Sequence, residues 1–204
     1  MLLNLKELKE KYKLNINGVL HIGGHFGQEF SLYRELQINN IIFFEPVPQT
    51  FKKLFDNIGE NAILFNIALG NIVGNIEMNI EENNDGQSSS ILEPHLHLKQ
   101  YPSIIFDKKI TINIDKLDNY IKYKNDYNFI NIDVQGYELE VFKGGSEFLN
   151  YIDYIITEVN NDDVYLNCAK VNELDEYLLK YNFERVETTW DGGTWGDALY
   201  IKTK

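Results

Sequence analysis

The chain of 204 residues contains a single cysteine, Cys168. That excludes an internal disulfide and any zinc site built on several thiolates. A buried or incidental thiol is the expected reading, ahead of a catalytic one. Basic residues are also scarce. Nineteen Lys and Arg stand against 31 Asp and Glu, giving a formal net charge of -12. Such a balance opposes long-range attraction to nucleic acid or an anionic membrane, so no nucleic-acid partner is expected. No window approaches the ~18 consecutive apolar residues of a membrane helix. Residues 1–13 space Leu2, Leu5 and Leu8 among Lys and Glu. This predicts a short amphipathic helix within residues 1–17, not a signal peptide, and a soluble, cytoplasmic protein. The length suits one domain over residues 1–204, with no repeat and no linker.

What is present is an alternation of patterns. Short apolar runs at residues 19–22, 41–44, 63–67, 129–132 and 154–157 read as strands. Helical spacing appears at 28–36 and at 51–58, the second opened by Pro48. This order predicts an α/β fold with a mostly parallel sheet and helices on both faces. Residues 76–80 and 110–114 instead alternate apolar and polar, which predicts an inserted antiparallel hairpin. Between them lies a long polar loop, 81–109, expected to cover a substrate. Helices over 138–148 and 171–179, and strands over 183–188 and 197–201, complete the pattern.

The sharpest local signal is Val19-Leu20-His21-Ile22-Gly23-Gly24-His25-Phe26-Gly27. A strand ends, glycines turn the chain, and a helix begins, so backbone can approach a ligand closely. Glu45 follows 22 residues after Gly23, at the end of the next strand. A carboxylate there can accept both ribose hydroxyls of an adenosine cofactor. The pattern is not the Gly-x-Gly-x-x-Gly of dinucleotide enzymes. The alternative is a plain βα turn with a solvent-facing Glu.

Further blocks follow in order. They are Phe44-Glu45-Pro46-Val47-Pro48, Asn66-Ile67-Ala68-Leu69-Gly70, Ser88-Ser89-Ser90-Ile91-Leu92, Ile112-Asn113-Ile114-Asp115-Lys116-Leu117-Asp118 and Ile132-Asp133-Val134-Gln135-Gly136-Tyr137-Glu138. Lys143-Gly144-Gly145 and Ile156-Thr157-Glu158-Val159 continue the series. Together with the glycine turn, these blocks resemble the FkbM family of methyltransferases. The resemblance implies a Rossmann-like class I methyltransferase fold with bound S-adenosyl-L-methionine. It implies that His21, Gly23, Gly24 and Gly27 meet the methionine part, that Glu45 holds the ribose, that Asn66, Ile67 and Ala68 line the adenine, and that Pro46 also belongs to the cofactor site. It also implies O-methylation of a sugar, a glycan or a glycan-like small molecule. Two positions depart from the family pattern, His21 where Asp is frequent and Gln135 where Glu is frequent.

Methyl transfer to an alcohol benefits from a base that takes the hydroxyl proton. Asp133 follows the apolar run 129–132, at a strand end where α/β sheets bind ligands. It is the first candidate for the base, placed beside the cofactor, with Glu158 second. The alternative for Asp133 is to cap the next helix. A metal is not expected, because His95 and His97 lack a clear third ligand and Gln135 is neutral. Trp190 and Trp195 either stack on a sugar or simply flank a turn. The Asn/Asp-Pro-Pro-aromatic motif of amino-directed methyltransferases is missing after strand four, which favours oxygen. Competing readings are a non-catalytic cofactor-binding partner and a nicotinamide-dependent oxidoreductase. Oligomeric state is left open by the sequence.

Overall fold

The computed structural model describes residues 2–203. The chain opens with α1 (Leu5–Tyr12), whose first turn is held by Asn4, its side chain accepting from the amides of Lys6 and Glu7. Then come β1 (Gly18–Ile22), α2 (Phe30–Glu35), β2 (Asn40–Phe44), α3 (Pro48–Ile58) and β3 (Ile63–Phe65). The middle holds β4 (Ala68–Leu69), β5 (Gly74–Glu81), α4 (His97–Gln100) and β6 (Phe106–Asp115). The last part is β7 (Phe129–Ile132), α5 (Glu138–Gly144), β8 (Tyr154–Asn160), α6 (Val171–Leu179), β9 (Phe183–Asp191) and β10 (Trp195–Lys202).

Seven strands form the main sheet in the order β3-β2-β1-β7-β8-β10-β9. The first five are mutually parallel, and β10 runs antiparallel to both β8 and β9. β1 is buried along its whole length because both faces are covered. Leu20 and Ile22 pack into one core with Ile130, Val141 and Phe142, while Val19 packs into the other with Leu5, Leu8 and Tyr33. Each such side chain contributes about 1.5–3 kcal/mol by leaving water. Strand order reverses where β1 lies between β2 and β7, and the crevice beyond the carboxyl ends there is the expected ligand site of such sheets.

The inserted hairpin is longer than its alternating windows suggest. β5 and β6 pair antiparallel, and with β4 they form a separate three-stranded sheet. Their connection is less irregular than its composition implies. It carries α4, it buries Ser88, Ser89 and Ser90, and Glu81 organises its start by accepting from the amides of Asn84 and Gly86. Three other boundaries differ from expectation. The third strand stops at Phe65, because Asn66 turns aside and donates its side-chain amide to the carbonyls of Glu45 and Pro46. The final hairpin is longer, running to Asp191 and from Trp195 across Gly192-Gly193. The helix over 138–148 ends at Gly144, and a separate 3-10 turn covers Phe148–Tyr151.

That last break has a specific cause. Asp118, distant in sequence, accepts from the amides of Glu147 and Phe148 at 3.0 and 2.8 Å and from Ser146 Oγ at 3.3 Å. It satisfies the donors that a new turn leaves open. Asp118→Ala is predicted to lower unfolding free energy by roughly 1–2 kcal/mol, the scale of a lost cap. Asp118→Asn, which keeps one acceptor, should lose less in the same urea titration. Equal stability of the Ala variant and the wild type would remove this role.

Candidate active site

A cavity of about 620 Å³ lies beyond the carboxyl ends of β1, β2, β7 and β8, with the 82–105 connection over it. Gly23 sets its floor. Its φ is +83°, and a Cβ there would stand 1.9 Å from the Asp133 carbonyl oxygen. Only glycine lets the ends of β1 and β7 meet this closely. The amides of Gly23 and Gly24 both donate to the Phe44 carbonyl, which ties the turn to β2.

Glu45 is buried beside this turn. Its two oxygens accept from the amides of His25 and Val47, each at 2.9 Å. Each keeps lone pairs for a ligand. Burial pushes the carboxyl up to about 7, against the pull of those two amides. His25 has a left-handed backbone, and its ring lies 2.8 Å from the Asp85 carbonyl and 2.7 Å from Gln28 Nε2. The glycine turn is thereby bonded to the loop above it.

Of the expected cofactor residues, His21, Gly23, Glu45, Pro46, Ile67, Ala68 and Asp133 line the cavity. Gly24, Gly27 and Asn66 do not. A Cβ at Gly24 would meet the Phe43 ring, and one at Gly27 would meet Leu54 and Ile58. These two glycines make room for packing behind the turn, while Asn66 braces the backbone of Glu45 and Pro46.

Asp133 and Glu158 are brought together. Gln135 stands between them, donating one side-chain N–H to Asp133 Oδ1 at 2.7 Å and the other to Glu158 Oε2 at 2.8 Å. Its own backbone is left-handed, with φ +55°. Ser90 Oγ donates to its carbonyl at 2.7 Å, and the Tyr165 hydroxyl lies 2.8 Å from its Oε1. Asp133 does not cap α5. Glu138 instead braces the turn that leads into the helix, accepting from the amides of Val134 and Gly136 at 3.0 and 3.1 Å. Burial first, and the Asp133 charge among the later causes, raise Glu138 to about 7. Burial, then Asp133, raises Glu158 well above the usual carboxylate range.

His97, considered in the sequence only as half of a His-x-His pair, lines the cavity, buried against Tyr101, Phe106 and Tyr165, with no partner for Nδ1 among the described residues. His95 points elsewhere, its ring 3.2 Å from the Asp163 carbonyl. Trp195 lines the cavity and donates to the Tyr101 hydroxyl at 3.0 Å, whereas Trp190 packs on the main core. Cys168 is buried where a Cβ on Gly136 would strike it.

No Lys or Arg lines the cavity among the described residues, whereas Glu29, Glu45, Asp133, Glu158 and Asp191 do. A pyrophosphate would meet uncompensated negative charge there. A cationic sulfonium attached to an adenosine fits it, with Glu45 for ribose hydroxyls and Ile67 and Ala68 as apolar neighbours. Sheet order and cavity define a Rossmann-like, S-adenosylmethionine-dependent methyltransferase.

Comparison with known proteins agrees. The methyltransferase FkbM domain model matches residues 21–185, and the chain belongs to that family. It is 29% identical over 197 residues to the 2-O-methyltransferase NoeI of Sinorhizobium fredii (strain NBRC 101917 / NGR234), covering 91% of this chain and 79% of that protein. In fold it is similar to magnesium protoporphyrin IX methyltransferase from Synechocystis PCC 6803 with bound SAM. That match has a TM-score of 0.52 at 9% identity, over 96% of this chain and 74% of the other. TrmK of M. capricolum, in complex with S-adenosyl-homocysteine, gives a TM-score of 0.50 at 12% identity, over 100% and 70%.

The raised carboxyls make stability depend on pH. Glu45 and Glu138 bind protons more tightly folded than unfolded. Their contribution is complete below about pH 4.5 and is lost as pH rises through about 7. Buried His21 and His97 shift the other way, an opposing effect that fades above their ordinary pKa of ~6.5 and is gone by about pH 7.5. Unfolding free energy of the cofactor-free protein should therefore fall between about pH 6.5 and 8, and Glu138→Gln should flatten the slope. A rise over that range would contradict the burial of these groups.

Proposed function

We propose that the protein transfers the methyl group to a hydroxyl of an uncharged sugar, glycan or glycan-like small molecule. The observation that carries this reading is the Gln135 bridge, which presents one carboxylate with a free oxygen at the carboxyl edge of β7. Asp133 Oδ1 is occupied by the Gln135 amide, and among the described residues nothing bonds to Oδ2. Bound S-adenosylmethionine supplies an activated methyl, so the protein has to align the hydroxyl, accept its proton and exclude water. Asp133 is the base in this scheme. Glu158, held toward its neutral form by burial and by Asp133, is a poor base and a suitable donor or spacer.

Several features support the acceptor class. The far wall is Tyr101, Ile104, His97 and Trp195, an aromatic surface with a neutral imidazole, of the kind that stacks on and bonds to a polyol. Absence of lining cations among the described residues disfavours phosphorylated or sulfated acceptors. The related 2-O-methyltransferase adds weight to oxygen as the nucleophile. We further read residues 1–204 as one catalytic domain, and the location as cytoplasmic, in keeping with the unpaired buried Cys168. No helix among the described residues is long and apolar enough to cross a membrane.

Asp133→Asn is predicted to keep cofactor affinity and to lower turnover by roughly 10²–10⁴-fold, the contribution of a positioned base. Glu158→Gln should change turnover far less. Turnover on a panel of neutral glycosides, with calorimetry of S-adenosylhomocysteine on the same variants, checks both. A fast Asp133→Asn enzyme beside a slow Glu158→Gln enzyme would move the base to Glu158. If both stay fast, alignment alone carries the reaction.

A further inference from the structure

Below the cavity runs a buried polar chain that the transfer chemistry does not use. Asn131, on β7, donates its side-chain amide to the Tyr33 hydroxyl, on α2. The Tyr33 oxygen lies 2.9 Å from His21 Nδ1, on β1. All three side chains are buried, at 1%, 0% and 4% exposure. A hydroxyl that accepts from Asn131 has one proton left to give, and His21 Nδ1 is the acceptor in reach. The order of donors leaves the imidazole proton on Nε2. Reversing the Asn131 amide would leave both of its N–H groups unpaired instead of one oxygen and one N–H, and orphaned buried N–H groups are the rarer defect. Burial keeps the ring neutral, so Nε2 is a fixed donor rather than an acceptor. His21 lines the cavity, and Nε2 stands 4.0 Å from Glu29 Oε2, whose carboxylate is partly exposed to the same space.

We propose that His21 and Glu29 together read the amino-acid end of the cofactor, His21 Nε2–H donating to its carboxylate and Glu29 accepting its ammonium, with Tyr33 and Asn131 as positioning residues that hold the His21 tautomer. The proposal rests on the assignment of S-adenosylmethionine as cofactor. It answers a chemical question raised by His21, since a lone neutral donor cannot hold an ammonium. Glu29 supplies the missing acceptor, six residues after Gly23 in the chain and lining the same cavity.

Two ligands separate this role from general damage. S-adenosylhomocysteine carries the amino-acid end, and 5′-methylthioadenosine has the same adenosine and thioether without it. Glu29→Gln, His21→Phe and Tyr33→Phe should each weaken S-adenosylhomocysteine by roughly 10- to 100-fold, the scale of a hydrogen bond to a charged group. Their affinity for methylthioadenosine should stay within about twofold of wild type. Equal losses on both ligands, or no loss on either, would overturn the proposal. Nitrogen-15 NMR of the wild-type imidazole gives an independent reading that needs no variant to fold. A protonated Nε2 with unprotonated Nδ1 is expected, and the opposite tautomer would overturn it. Glu45→Ala should weaken both ligands together, so a failure of the adenosine assignment shows up as wild-type protein that binds neither.

Discussion

Buried negative charge without basic neighbours is the constraint on which the carboxyl edge of this sheet depends. Glu45, Glu138, Glu158 and Asp197 are buried, and no Lys or Arg lines the cavity among the described residues. An isolated carboxylate in such surroundings is costly, so each must be protonated, hydrogen-bonded or met by a cation. The groups divide by what they have left over. Glu138 gives its Oε1 to two backbone amides of the turn after β7 and is structural. Asp197 accepts from the amides of Leu2 and Leu3 and ties the N-terminal segment to β10. Glu45 and Asp133 satisfy only part of their capacity within the protein, and with Glu158 they face the cavity.

Gln135 follows from the same constraint. A carboxylate in place of Gln135 would put a third acidic group within hydrogen-bond distance of Asp133 and Glu158, adding like charge to a site that already disfavours it. A side-chain amide instead supplies two N–H groups, both used, and an acceptor that competes with the Ser88 carbonyl for the single Tyr165 hydroxyl proton. Holding a non-glycine residue at φ +55° costs of order 1 kcal/mol or more. The Ser90 hydroxyl, Tyr165 and the paired carboxylates hold it there. The residue that departs from the family pattern is thus bonded on several sides to its surroundings. These bonds also tie the roof, through Ser90, and the segment after β8, through Tyr165, to the residue that sets the spacing of the two acids.

Features legible in the sequence were those whose partners lie nearby in the chain or recur at a fixed spacing. The parallel core strands, the glycine turn, Glu45 at the end of β2 and Asp133 at the end of β7 belong to this group. Element ends were less legible. Helix 138–148 was broken by Asp118, about thirty residues away, and no local pattern announces a cap from such a distance. Gly24, Gly27 and Asn66 stand in recognisable blocks, yet their work is packing and bracing, which a motif does not distinguish from contact with a ligand. The roles of Gln135, Tyr33, Asn131 and His97 come from contacts across four or more elements. A single sequence contains the residues but not the distances that join them.

The two ends of the cavity are built differently, and one residue joins them. The end at Gly23 and Glu45 is made of strand termini, where backbone hydrogen bonds leave little freedom. The opposite end is made largely of the connection between β5 and β6 together with Trp195 of β10, which depend on side-chain bonds. His25 belongs to both. Its amide holds Glu45 Oε2, and its ring meets the Asp85 carbonyl in the connection. Since Gln28 Nε2 is the donor toward Nδ1, the ring must offer Nε2–H to that carbonyl. A left-handed backbone, φ +45°, turns the amide toward β2 while the ring reaches upward. The position of the Glu45 carboxylate and that of the roof therefore share a residue, so neither can shift far without straining the other.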